Sequence, residues 1–541
     1  MSAIEVLRQL YEDGLYDDLE ILASLLLTVD RNCDDVLMPS HRYQALVWYG
    51  DVLRESRQFK KAELMYEQAL QLKRSVVRKR QHEDITPHAE VQYRIYQCLL
   101  GRKEIRLATS TLENIPLKQR TPKMNMALGR LYQSQGNDRG AIACYKDVLK
   151  VNPYAIAAIT SLLELNMKAA DVSSMVTSKG LHVTMEWLPA FVAACGDLHS
   201  KNTSKALEAF QSLDTSLQLK ESFDVSLMLA KLHYFQGESN KALGAFERAV
   251  KADKYQVRGM DLYASLLMRE KRSKELEQLS NHLLSLSDSM PETWVALGYL
   301  CYNRGKFPRA RHMCDKALDM NPKHVNAVIL KAEILFAIGG FQSAASTYSE
   351  AQIIAPHRFE PYRGQVTCYL SQNRFSDAQT AATNAIRQLG QSPRTLTLKA
   401  EALAKNNQIE KARSYLERVL AHDPGYLPAI YDLAEILDQT RNYQGGVQLL
   451  SEKLQLVGST LRLHQMYAEF LHKTNEPEQA LFHYGIALNL DPGNAQVKKG
   501  IQLVEQSVGG EQSYDMEMDD DRESEANNDD SDGDGVWSDE F

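Results

Sequence analysis

The chain has 541 residues, of which 44% are hydrophobic and 8% aromatic, enough to bury a core and so to exclude wholesale disorder. It carries 62 Lys and Arg against 70 Asp and Glu, but residues 511–541 alone hold 14 acids and one base, Arg522. The body is therefore near neutral and lacks the concentrated basic footprint of a nucleic-acid binder, while no uncharged apolar run approaches the roughly 18 residues of a membrane helix.

In chain order, the N-terminus MSAIEVLRQLYEDGL places acids where a signal peptide would place bases. The expectation is a soluble intracellular protein that meets neither nucleic acid nor membrane. Residues 1–38 read as an N-terminal helical cap of two short amphipathic helices, with apolar faces at Ile4, Leu7, Leu10 and at Leu19, Leu22, Leu25, Leu26. A signature then begins to recur. A small residue on one helix is followed by Ala on a second, an aromatic four later, an apolar residue three further on, and often Pro five beyond. Gly50–Ala62–Tyr66–Ala69, Gly129–Ala141–Tyr145–Pro153 and Ala332–Ala344–Tyr348–Ala351–Pro356 are copies. Over 39–240 the spacing is irregular, with anchors at Ala62, Ala108, Ala141 and Ala206, surplus residues forming a basic insert near 73–90, and a weak unit around KAADVSSMVTSKG. Over 241–508 it is strict: anchors at 242, 276, 310, 344, 378, 412, 446 and 480 step by 34 residues.

That period with these residue types is the tetratricopeptide repeat, two antiparallel helices per unit. Small residues such as Gly298, Ala332 and Ala400 let the paired helix approach, and Ala310, Ala344, Ala412 and Ala480 fill the reciprocal slot. Tyr348 and Tyr484 plug the joint to the next unit. Pro153, Pro322, Pro356, Pro424 and Pro492 end the second helix. Leu276, Gly446 and Val366 break the consensus, which interior repeats tolerate because neighbours supply burial. The expected fold is all-α, a tetratricopeptide repeat α-solenoid forming a right-handed superhelix, followed at 509–541 by a disordered acidic tail.

No enzyme signature appears: no GxGxxG, GxxxxGK[ST], HExxH or GxSxG. The seven cysteines form no CxxC pair, so neither a disulfide framework nor a zinc ribbon is expected. Cys301, His312 and Cys314 are close in sequence, yet both thiols occupy large-residue core slots. Asp530, Asp532, Asp534 and Gly535 copy the start of an EF-hand loop, but Phe541 stands where a bidentate Glu is needed. No catalytic residue, metal or cofactor is expected. Ser531 and Ser538 precede acids and are candidate phosphorylation sites. Lys73, Arg74, Arg78, Lys79 and Arg80 form the one dense basic run, a candidate contact for an acidic partner. By repeat position, a groove for a partner would present Tyr299, Tyr302, Asn303, Glu333, Phe336, Arg363, Glu401, Tyr431 and Glu435. Val295, Ile329 and Thr397 stand where carboxylate-clamp repeats carry Lys, so the mixed aromatic and acidic lining suits a segment with basic and apolar side chains.

Several off-consensus stretches carry a closer resemblance: ILASLLLT at 21–28, RTPKMNMALGRLY at 120–132, KAADVSSM at 168–175, GMDLY at 259–263, LGQSPRTLTLKA at 389–400 and ALNLDP at 487–492. In this order they resemble the anaphase-promoting complex (cyclosome) subunit 7 family over nearly the whole chain. The resemblance implies a non-catalytic scaffold subunit of a cullin-RING ubiquitin ligase that controls mitotic progression, found in nucleus and cytoplasm. It also implies a homodimer formed through repeats in residues 1 to about 240, and C-terminal repeats that meet other tetratricopeptide subunits. The alternative is a peptide-binding adaptor serving chaperones or transport.

Overall fold

The computed structural model describes residues 2–33, 37–76, 86–178, 180, 182–199, 203–216 and 218–511. Among them every long element is an α-helix, and the chain divides into two compact units, 1–254 and 255–541. Arg78, Lys79 and Arg80, the tail beyond 511 and its Ser531 and Ser538 lie outside the described residues; Lys73 and Arg74 belong to the end of a helix.

The first unit is seven antiparallel pairs: α1 Ala3–Glu12 with α2 Tyr16–Asn32, α3 Pro39–Glu55 with α4 Phe59–Val76, α5 His88–Gly101 with α6 Ile105–Glu113, α7 Pro122–Ser134 with α8 Asp138–Val151, α9 Ile156–Glu164 with α10 Ala169–Thr177, α11 Leu188–His199 with α12 Thr203–Thr215, and α13 Phe223–Gln236 with α14 Ser239–Ala252. The second holds seven more: α15 Met260–Arg269 with α16 Ser273–Leu286, α17 Pro291–Asn303 with α18 Phe307–Met320, α19 Val325–Ala337 with α20 Phe341–Ile354, α21 Glu360–Ser371 with α22 Phe375–Leu389, α23 Pro393–Lys405 with α24 Ile409–His422, α25 Leu427–Gln439 with α26 Tyr443–Val457, and α27 Leu461–Lys473 with α28 Pro477–Leu490. Helix α29, Ala495–Glu511, packs on α28 and covers the last pair.

The fourth residue of every second helix is the anchor, and all of them are buried, from Leu19 and Ala62 to Ala412 and Ala480. Val172 is the anchor of the weak unit, and Leu19 puts α1–α2 in the same register as the pairs that follow. The steric reason for the small residues is direct. A Cβ on Gly50 or Gly129 would stand 2.6 Å from the ring of Tyr66 or Tyr145 on its own second helix. At Gly298 the closest atom is instead Leu330 Cδ2 of the next first helix, at 2.7 Å. Tyr348 and Tyr484 do plug the following joint, since a Cβ on Gly364 or Gly500 would fall 2.3 or 2.6 Å from their rings. Gly446 is no lapse from the Ala consensus: Phe470, from the next first helix, fills the space 2.2 Å from where its Cβ would be.

Between paired helices the turn places one residue in the left-handed region, at positions 237, 271, 305, 339, 373, 407, 441 and 475. Gly or Asn occupies all but Lys271 and Arg441, as the sterics of that region favour. Between pairs, the residue before Pro322, Pro424 and Pro492 adopts extended backbone and closes the second helix.

One feature of the first unit lies outside the repeat pattern. Asp51 of α3 is buried, accepting hydrogen bonds from Tyr66 Oη of α4 at 2.7 Å, Tyr11 Oη of α1 at 3.1 Å and Arg94 Nη1 of α5 at 2.5 Å. Burial pushes its carboxyl above the usual range while Arg94 pulls it back. The acid thus ties three successive helix pairs together through donors that fully surround it.

Candidate protein-binding face

Within the second unit each first helix packs on its own partner and also on the first helix of the next pair, from α15 to α29. The first helices therefore form one continuous layer, and residues 34 apart on them fall on the same stripe of that layer.

The nine residues expected there separate into groups. Tyr299 is only 2% exposed and packs between helices, so it offers no surface to a ligand. Tyr302 and Phe336 turn back onto the first residue of their own second helix, with ring centroids 5.7 Å from Phe307 and 5.2 Å from Phe341. They close the turn because the antiparallel pair brings these two positions face to face. Asn303 is exposed and donates to Ser273 Oγ at 2.8 Å. Glu333, Arg363, Glu401, Tyr431 and Glu435 remain on the layer. Cys301 is half-buried and Cys314 lies fully buried beneath Gly298, where burial raises its thiol well above the usual range. Among the described residues no three His, Cys, Asp or Glu gather as a metal site would require, and no helix is long and apolar enough to cross a membrane.

Charges on this layer are unevenly matched. Upstream, a buried chain of polar groups runs from Asp261 on α15 through Asn326 on α19 to Arg358, whose Nε lies 3.3 Å from Glu360. Glu333 of α19 sits near Arg269, Arg358 and Arg363, yet its Oε2 is shut off from water without a hydrogen-bond partner, and burial pushes the carboxyl up to about 7.

Downstream the balance turns acidic. Glu401 of α23, Asp432 and Glu435 of α25 and Glu469 of α27 lie on adjacent first helices. Glu435 is paired with Arg462 at 3.1 Å, and Asp438 with Lys473 at 2.5 Å. Arg462 also stacks on Tyr431, 4.5 Å from the ring centroid. Among the described residues Glu401 and Asp432 make neither an ion pair nor a hydrogen bond, though Arg363 and Lys405 lie near the first and Arg462 and Lys405 near the second; Glu469 accepts only from the Gln465 amide, at 2.9 Å. Burial, then the neighbouring Glu401 and Glu435, push Asp432 up to about 7; burial raises Glu401 as well. Beside this strip opens a groove of about 520 Å³ between α25, α27 and the start of α29, floored by Met466 and Phe470 and rimmed by Glu435, Asp438, Arg462 and Glu469.

Asp432 and Glu469 escaped the reading from repeat positions, although the signal existed. Glu469 follows Glu435 by one period, as Glu435 follows Glu401, and Asp432 precedes Glu435 by three residues on the same helix face.

Helix pairs stacked in this register define a tetratricopeptide repeat protein, and models of the tetratricopeptide repeat family match residues 43–76, 122–154, 295–358, 365–426 and 403–452. Among curated proteins, anaphase-promoting complex subunit 7 of Mus musculus is 33% identical over 520 residues, 93% of this chain and 92% of that protein. The Arabidopsis thaliana subunit 7 is 28% identical, covering 94% of both chains. The chain belongs to the anaphase-promoting complex subunit 7 family. A solved APC/C hetero-tetramer, Cut9-Hcn1, shares the fold at a TM-score of 0.55 and 17% identity, covering 93% of this chain and 96% of that one.

Proposed function

We propose that the chain is a non-catalytic scaffold subunit of the anaphase-promoting complex, a cullin-RING ubiquitin ligase of mitosis, working in nucleus and cytoplasm. Its first unit pairs with a second copy, and its second unit meets other tetratricopeptide subunits. The observation that carries the assignment is the 33% identity sustained over 93% of the chain with a relative named as a subunit of that complex.

An apolar stripe on α2 supports the pairing. The helix buries Leu19 and Ala23 against the first unit, but Ile21 (63% exposed), Leu25 (60%) and Val29 (46%) line its other side at intervals of four residues. Leu25, expected among the core residues, points outward because the helix is apolar on two faces. A surface stripe of this kind is ordinarily covered by protein. Affinity purification of the tagged chain from mitotic cells tests the assignment: a cullin, a RING subunit and other tetratricopeptide chains should be recovered in stoichiometric amounts. Recovery of chaperones or motors without ligase subunits would replace it with the adaptor reading. Ile21→Glu with Leu25→Glu should convert a dimer to a monomer in light scattering, and an unchanged dimer would exclude α2 from the pairing surface.

A further inference from the structure

We propose that the first-helix layer of α23, α25 and α27 binds an extended segment of another protein that presents Lys or Arg at about every third residue. The inference deepens the scaffold reading, resting on it only in taking the occupant to be a protein partner. Three observations carry it.

The first is an excess of unmatched acid. Arg462 and Lys473 are already held by Glu435 and Asp438, and Arg363 and Lys405 stand near Glu401 and Asp432 without pairing with either, so acids outnumber bases here. Glu401 and Asp432 have neither ion pair nor hydrogen bond, and Glu469 has only a neutral amide. Partly buried carboxylates held beside one another repel and lose hydration, an arrangement that a folded chain has no internal reason to keep. Asp51 in the first unit shows what a structural acid looks like here, with two hydroxyls and a guanidinium around it. Because these acids lie on three helices, no three of them converge on one metal ion, whereas separate cationic side chains would reach each in turn.

The second is spacing. Packed helices stand about 8–10 Å apart, and a chain in the extended polyproline II conformation advances about 3.1 Å per residue with three residues per turn. A segment in that conformation crossing α23, α25 and α27 therefore turns every third side chain to the same side, about 9 Å apart, and so to the same stripe. The third is the groove itself, whose apolar floor of Met466 and Phe470 accepts the stems of Lys or Arg, or an apolar residue between them. The chain's own C-terminal segment is an unsuitable occupant, since its 14 acids and single base would face like charge.

The test uses the full chain and two fluorescein-labelled twelve-residue peptides of the same composition. One has four Arg at intervals of three among Ser and Ala, and the other has the four Arg contiguous. Anisotropy at physiological salt should show saturable binding of the spaced peptide, at least about fivefold tighter than the contiguous one. Glu401→Gln combined with Asp432→Asn should weaken it about tenfold or more without lowering the melting temperature. Equal affinity for both peptides would mean unspecific charge attraction and overturn the proposal, as would undiminished binding by the double variant. Absence of binding by a chain that still co-purifies with ligase subunits would overturn it too, leaving the scaffold assignment standing.

Discussion

The two units contain the same number of helix pairs and solve the same packing problem differently. In the second, the starts of the second helices from Ser273 to Pro477 step by a constant 34 residues, so each joint repeats the one before it. In the first, the spacing between anchors varies, and the irregular pairs are locked by a side-chain network instead, with Asp51 joining α1, α3, α4 and α5. The same contrast separates their buried acids. Asp51 is surrounded by donors and belongs to the architecture. Asp432 has two acids, Glu401 and Glu435, and two bases, Arg462 and Lys405, near it but no bonded partner, as the proposed binding role requires. Burial alone does not tell a structural carboxylate from a binding one; the identity of its neighbours does.

This contrast is open to breakage at several points. The largest effect is expected in the first unit. Asp51→Ala strips Arg94 of its counter-ion and two tyrosines of their acceptor, and should destabilise that unit by about 3–5 kcal/mol in urea denaturation. A loss below about 1 kcal/mol would mean that the hub is incidental. Next comes steric fit in the second unit. Gly446→Val forces a side chain into the Phe470 ring and should cost about 2–3 kcal/mol, whereas Gly485→Ala in α28, where a Cβ meets nothing within 4 Å, should be neutral or slightly stabilising.

Asp432→Asn should act with the opposite sign to Asp51→Ala. The folded carboxyl titrates at about 7 and an unfolded Asp at about 3.9, so the folded state loses stability as pH rises from about 4 to about 7 and carries the full penalty above that. The variant should be more stable than the parent at pH 8 by roughly 1–4 kcal/mol, the upper figure being the full difference between the folded and unfolded pKa. That advantage should shrink steadily as pH falls from about 7 to about 4, where the folded carboxyl, beside Glu401, Lys405, Glu435 and Arg462, is protonated and the unfolded one still ionised. A destabilised variant at pH 8 would show that Asp432 is structural and erase its difference from Asp51. The smallest effect lies in the turns. Lys271→Gly and Arg441→Gly relieve left-handed backbone that their neighbours satisfy with Gly or Asn, and each should add about 0.5–1 kcal/mol, readable as a small rise in melting temperature.

The helix pairs, their register and the family were legible in the residues themselves, because the period, the small anchor residues and the prolines act locally or between immediate neighbours. The left-handed turns left a weaker signal that the repeat reading did not use, Gly or Asn at six of eight positions spaced by 34. Tertiary structure decided whatever depended on the surroundings of a side chain. It turned Tyr302 and Phe336 onto their own second helices and exposed Leu25 on α2. It also made Gly446 the complement of Phe470. It left Glu401 and Asp432 without partners while satisfying Asp51. A repeat pattern specifies which positions lie on a shared face, but burial and charge compensation are set by atoms from three or more helices at once, and no single stretch of sequence contains them.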